Sequence, residues 1–128
     1  MEMDIGLPSR YRIERRLGEG GMGTVFRAAD TQLRRTVAVK VLGEIEPGAR
    51  ESITEEFRIL SRLSHPCLVQ VLDFGFCEKG TPYFSMEYID GPDLRGYFSS
   101  EDKLDKVPAI LADILSALHY LESRKIVH

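Results

Sequence analysis

Gly18, Gly20 and Gly23 stand at the spacing G-x-G-x-x-G, and Lys40 follows inside the β-branched run Thr36-Val37-Ala38-Val39-Lys40-Val41-Leu42. Glycines without side chains let backbone N–H groups approach phosphate oxygens, and a nearby ammonium would hold the same anions. The chemistry these residues could perform is the binding of a phosphorylated ligand. Glycines at this spacing also make plain hairpin turns, and only the flanking elements distinguish the two.

Those elements are legible from periodicity. Tyr11 to Leu17 alternate loosely between bulky and charged side chains, as a strand exposed on one face does, and Gly18 to Gly23 then interrupt it. Thr24 to Arg27 resume a strand, and Thr36 to Leu42 form the next. Ile53, Phe57, Leu60 and Leu63 fall on one helical stripe, with Ser52 placed to cap its start and Pro66 limiting its extension, so a helix is expected to end near Ser64. Val69 to Phe76 and Pro82 to Tyr88 read as two further strands joined by the short connection Glu78-Lys79-Gly80. Asp90-Gly91-Pro92-Asp93 is a cluster of turn formers, read as a linker. Beyond it Val107, Ile110, Leu111, Ile114, Leu115, Leu118 and Leu121 mark a long amphipathic helix ending around Arg124. Ile126-Val127-His128 then reads as the start of another strand or loop, and a stripe with so little left to pack against suggests truncation.

The residues after the glycines exclude two phosphate-binding designs. A dinucleotide-binding site needs a helix there, but Thr24-Val25-Phe26 reads as strand, so a dinucleotide-dependent oxidoreductase would rest on the glycine pattern alone. A Walker A loop ends in Gly-Lys followed by Ser or Thr, whereas Gly23 is followed directly by Thr24. Strand, glycine-rich turn and strand read instead as a β-hairpin. Strand alternation puts Val39 and Val41 on one face and directs Lys40 to the other.

Composition narrows the classes further. With 128 residues, 43% hydrophobic and 29% charged, the chain has the make-up of one globular domain. A net charge of -3 with scattered basic residues gives no general pull toward nucleic acid or anionic membrane. No apolar run approaches the roughly 20 residues of a membrane span, and the N-terminus lacks a signal-peptide core, which points to a cytoplasmic protein. Cys67 and Cys77 form no CxxC or Cys/His cluster, so reduced thiols are expected and no metal site.

The stretch Leu17-Gly18-Glu19-Gly20-Gly21-Met22-Gly23-Thr24-Val25, with Val37-Ala38-Val39-Lys40 after it, resembles the start of a eukaryotic-like serine/threonine protein kinase. Its Gly-Gly-Met-Gly variant is similar to the bacterial branch, and the resemblance runs in order from Tyr11 to His128. It implies an α+β fold: a kinase N-lobe of five antiparallel strands and one helix, then the first helices of a C-lobe. The implied plan is a leader at 1–10, the N-lobe at 11–86, the hinge at 87–92 and the start of the helical lobe at 93–128.

The resemblance also assigns roles. Lys40 would hold the α and β phosphates of ATP, and Glu56, nine residues before His65-Pro66, would be its acidic partner, with Glu55 about 100° away on the surface of the helix. Leu17, Gly18, Glu19, Gly20, Gly21, Met22, Gly23, Thr24 and Val25 would form the flap over the nucleotide. Ala38 would share its ceiling with Val25, Met86 would guard the back of the pocket, and Glu87 and Ile89 would offer backbone hydrogen bonds to adenine. Asp73-Phe74-Gly75 spells the family's magnesium-binding triplet, but it lies before the hinge, where a structural role is expected. His128 matches the histidine that opens the His-Arg-Asp loop; the catalytic base, the metal ligands and the activation segment would come after it, so Mg2+ is expected only with that half. The expectation is thus the ATP-binding part of a kinase acting on protein hydroxyls, without useful transferase activity by itself. The alternative is a pseudokinase-type nucleotide-binding or scaffold module.

Overall fold

A computed structural model describes residues 5–126, with Glu101 described by its backbone alone. The chain divides into two compact units. The first runs up to Leu63 and takes in Gln70–Ile89; the second comprises Ser64–Val69 and the residues from Asp90 onward.

In the first unit five antiparallel strands form one sheet: β1 Tyr11–Gly20, β2 Gly23–Asp30, β3 Arg35–Leu42, β4 Val71–Phe76 and β5 Pro82–Glu87, in the order β1-β2-β3-β5-β4. The glycines interrupt the hairpin less than their number suggests. Pairing continues through Gly18↔Val25, Glu19↔Thr24 and Gly20↔Gly23, leaving only Gly21 and Met22 as the turn. A glycine keeps its N–H and C=O for the ladder, so it loosens a strand without ending it. Irregularities between Ile13 and Arg15 and between Arg16 and Gly18 leave Glu14 and Leu17 as extra residues that bend β1.

One face of the sheet is the core. Val37, Val39 and Val41 alternate inward from β3 and meet Phe26 and Ala28 of β2, Tyr11 of β1, Tyr83 of β5 and Cys77. The segment before β1 joins this core: Ile5 and Leu7 pack against it, and the Glu78 N–H donates to the Gly6 carbonyl at 3.0 Å. The β4–β5 connection closes as a tight turn, with Cys77 N–H donating to the Thr81 carbonyl and Gly80, at φ +90°, donating to the Cys77 carbonyl.

The opposite face carries α1, Arg50–Ser61. Its stripe falls as the periodicity predicts, with Phe57 buried and Ile53 and Leu60 half-buried. Its start differs from the expectation. Ala49 occupies the cap position without a side-chain bond, and Ser52 lies inside the first turn, its hydroxyl donating to the Ala49 carbonyl at 2.9 Å. A serine within a helix returns its hydroxyl to a preceding carbonyl rather than capping.

The second unit holds a short helix α2, Leu94–Tyr97, a 3-10 turn at Glu101–Lys106 and the long α3, Val107–Ser123. Asp93, read above as a linker residue, caps α2 by accepting from the Gly96 N–H at 2.7 Å. Ser64–Val69 belongs here because His65 is tied to α3. Its Nδ1 accepts from the Cys67 N–H, so Nε2 carries the proton and donates to Ser116 Oγ at 3.0 Å, while Tyr120 stacks on the ring and accepts from the Ser64 N–H. On α3, Ala117 and Leu121 are buried while Leu111, Ile114, Leu115 and Leu118 stay exposed. No helix among the described residues is long and apolar enough to cross a membrane. The expected continuation through Val127 and His128 lies outside the described residues.

Candidate functional site

The register of the sheet builds the site. On the face opposite the core, Gly18 stands across from Val25, Val25 from Lys40 and Lys40 from Phe84, a row running from the flap to β5. The neighbouring row runs Arg15, Arg27, Ala38 and Met86. Alternation therefore brings Val25, Ala38, Lys40 and Met86 together on one face, which three separate stretches of sequence could not show individually. Val39 and Val41, on either side of Lys40, are buried in the core, and Lys40 itself is half-buried on the other face.

The flap glycines separate into two kinds. Gly23 has φ +138°, and a Cβ there would overlap the carbonyl oxygen of Val41, so the β2–β3 ladder itself requires glycine. Gly18, Gly20 and Gly21 differ: a Cβ at any of them would meet nothing within 4 Å. The chain's own packing does not explain why these positions lack side chains. Gly23→Ala is accordingly expected to destabilise the unit by about 1–3 kcal/mol, whereas Gly20→Ala should shift stability by no more than about 0.5 kcal/mol. Urea denaturation of both variants checks this, and equal effects would remove the distinction.

Lys40 forms no ion pair among the described residues, and Glu56 is exposed and likewise forms none. The structure does not bring these two side chains together. α1 is seated by Phe57, which stacks on Phe74 with ring centroids 5.4 Å apart and meets Phe84 at 5.2 Å with the rings tilted by 48°, fixing the helix against β4 and β5. Glu55 is occupied on the surface with Arg58 at 2.9 Å.

After β5, Glu87 is tied to the chain before β4: its N–H donates to the Gln70 carbonyl and its carboxylate accepts from the Gln70 N–H, each at 3.0 Å. Neither backbone group of Ile89 has a hydrogen-bond partner among the described residues, and the residue is 65% exposed. Asp73, Phe74 and Gly75 lie in β4 with roles in packing. Asp73 binds Arg10 at 2.8 Å, Phe74 carries Phe57, and a Cβ on Gly75 would meet the Tyr83 hydroxyl at 2.8 Å. Among the described residues no group of three His, Cys, Asp or Glu side chains could hold a metal ion.

Two clusters escaped the sequence reading. Arg10 grips the buried Asp30 with two hydrogen bonds, and Arg15 and Arg27 converge on Tyr88. Asp30 had a local signal, since an aspartate opening a turn accepts from the N–H groups two and three residues on, here Gln32 and Leu33. The arginine contacts had none.

Compared with known families, residues 11–128 match the protein kinase domain. The chain belongs to that family. This kinase domain is 38% identical over 124 residues to the serine/threonine-protein kinase pkn3 of Myxococcus xanthus, covering 93% of this chain and 23% of that protein. It is 36% identical over 130 residues to the serine/threonine-protein kinase PknB of Mycobacterium tuberculosis, covering 95% and 21% respectively. The chain thus spans under a quarter of the length of these relatives. Among solved structures, the kinase domain of M. tuberculosis PknI superposes with a TM-score of 0.78 at 27% identity, over 99% of this chain and 53% of that one. The five-stranded sheet with its helix is the kinase N-lobe, followed by the start of the helical C-lobe.

Proposed function

We propose that this chain is the ATP-binding part of a bacterial-type serine/threonine protein kinase whose activity is transfer of the ATP γ-phosphate to protein hydroxyls. The observation that carries the reading is the open space at Gly18, Gly20 and Gly21, whose flap lies in register with Lys40. Backbone N–H groups of the flap and the Lys40 ammonium bind the phosphates, while Val25, Ala38 and Leu17 offer apolar contact to the base. Met86 closes the back of the pocket, and the backbone of Ile89 with the Glu87 carbonyl hydrogen-bonds the adenine edge. Glu19, Met22 and Thr24 complete the flap, and Glu56 becomes the partner of Lys40 when α1 reseats.

Phosphoryl transfer depends on charge neutralisation and on a group that accepts the substrate proton. Mg2+ supplies the first when bound, and no ligand for it is assigned to these residues. Transfer therefore draws on the catalytic-loop and metal-binding elements that the family carries after the position His128 matches. The free thiols, exposed Cys67 and buried Cys77, fit a reducing cytoplasm.

The test is nucleotide binding by calorimetry. Lys40→Met is expected to weaken ATP about 10- to 100-fold, the worth of a charge-assisted contact, and to leave adenosine affinity unchanged. No saturable ATP binding by the folded wild-type chain, or equal losses for ATP and adenosine, would refute the assignment. The exposed Leu111, Ile114, Leu115 and Leu118 of α3 favour a second reading, a scaffold that works by partner contact. Under that reading Lys40→Met leaves partner capture intact.

A further inference from the structure

Arg15 and Arg27 are register partners across β1 and β2, a like-charge pairing that destabilises a hairpin unless it is compensated. Glu14, the extra residue in the β1 irregularity, supplies part of the compensation, with Oε1 3.1 Å from Arg27 Nε. Tyr88 supplies the rest. Its hydroxyl accepts a hydrogen bond from Arg15 Nη2 at 3.2 Å, and the Arg27 guanidinium stands over its ring, 5.0 Å from the centroid.

The place of Tyr88 gives these contacts their meaning. It sits between Glu87 and Ile89, the two residues assigned above to adenine, just beyond the end of β5. The sheet order puts β3 between β5 and the β1–β2 hairpin, so no ladder hydrogen bond joins that hairpin to the segment after β5. Tyr88 spans the gap directly. Its two partners lie just before the flap on β1 and just after it on β2, and a turn rich in glycine has little stiffness of its own.

We propose that Tyr88 is a positioning residue that latches the flap-bearing hairpin to the adenine-binding segment, so that flap and segment move as one piece around the nucleotide. The inference rests on the nucleotide-binding reading for its purpose, and on the two arginine contacts for its geometry. Ring and hydroxyl act separately: the ring takes Arg27 and the hydroxyl takes Arg15.

Amide hydrogen exchange of the 128-residue chain without nucleotide tests the latch. Tyr88→Ala should reduce protection across Gly18–Val25 roughly five-fold, the combined worth of an exposed cation–π contact and one hydrogen bond, with the β3 amides unchanged. Tyr88→Phe should restore the part due to the ring, and Arg27→Met should add little on top of Tyr88→Ala. With nucleotide, Tyr88→Ala should weaken ATP and adenosine together, unlike Lys40→Met. Unchanged flap exchange, or flap and β3 exchange rising in step, overturns the latch. A wild-type chain that fails to bind ATP would remove the nucleotide reading, while flap exchange would still decide whether the latch exists.

Discussion

Arg10→Ala is expected to destabilise the first unit by about 3 kcal/mol, because it strands a buried carboxylate. Arg10 donates to Asp30 from Nε at 3.2 Å and from Nη2 at 2.7 Å, and to Asp73 from Nη1 at 2.8 Å. The Asp30 side chain has no exposed surface, whereas Arg10 keeps 20%. Breaking such a pair on one side costs about 3–5 kcal/mol. The lower figure applies because Asp30 still accepts from the N–H groups of Gln32 and Leu33. Urea denaturation measures the change, and a loss under about 1 kcal/mol would mean that those two backbone donors suffice.

The same carboxylate predicts a pH dependence. Burial would raise the Asp30 pKa, but the Arg10 hydrogen bonds and the Leu33 and Gln32 N–H groups overcome that and hold it below the ordinary carboxylate value. A folded-state pKa below the unfolded value of about 3.9 means that the unfolded chain binds the proton more readily. The contribution is therefore fully present above that value and is lost as pH falls through the folded one. Wild-type stability should drop in acid below about pH 4, and Asp30→Asn should abolish this part of the slope.

Phe57→Ala is expected to cost about 3–5 kcal/mol and to release α1 from the sheet. Phe57 is 4% exposed and is the only fully buried residue of a helix of 12 residues, Arg50–Ser61. A helix of that length is marginal by itself, so its order depends on the packed face. The rings it packs against, Phe74 and Phe84, are register partners on β4 and β5. Losing the ring should raise amide exchange throughout α1 while β1 and β2 keep their protection. A loss under about 1 kcal/mol would show that Ile53 and Leu60 hold the helix without it.

Local pattern determined much of this protein. Five strands, the helix bearing Phe57, the long helix from Val107 and the outward face of Lys40 all follow from periods of two and 3.6 residues, which act between near neighbours in the chain. The strand after the glycines excluded a dinucleotide fold for the same reason: Thr24, Val25 and Phe26 favour strand wherever they are placed. Tertiary structure decided what depends on partners far apart in sequence. Pairing across β1 and β2 carried both strands to Gly20 and Gly23 through glycines that read as a break. His65, bound to Ser116 and stacked on Tyr120, drew Ser64–Val69 into the second unit. Arg10 met Asp30 and Asp73 across separations of 20 and 63 residues, and Arg15 met Tyr88 across 73. An arginine on a strand looks solvated in sequence because its long side chain can reach any of several partners. Only the fold selects which carboxylate or ring lies within a few ångströms of it.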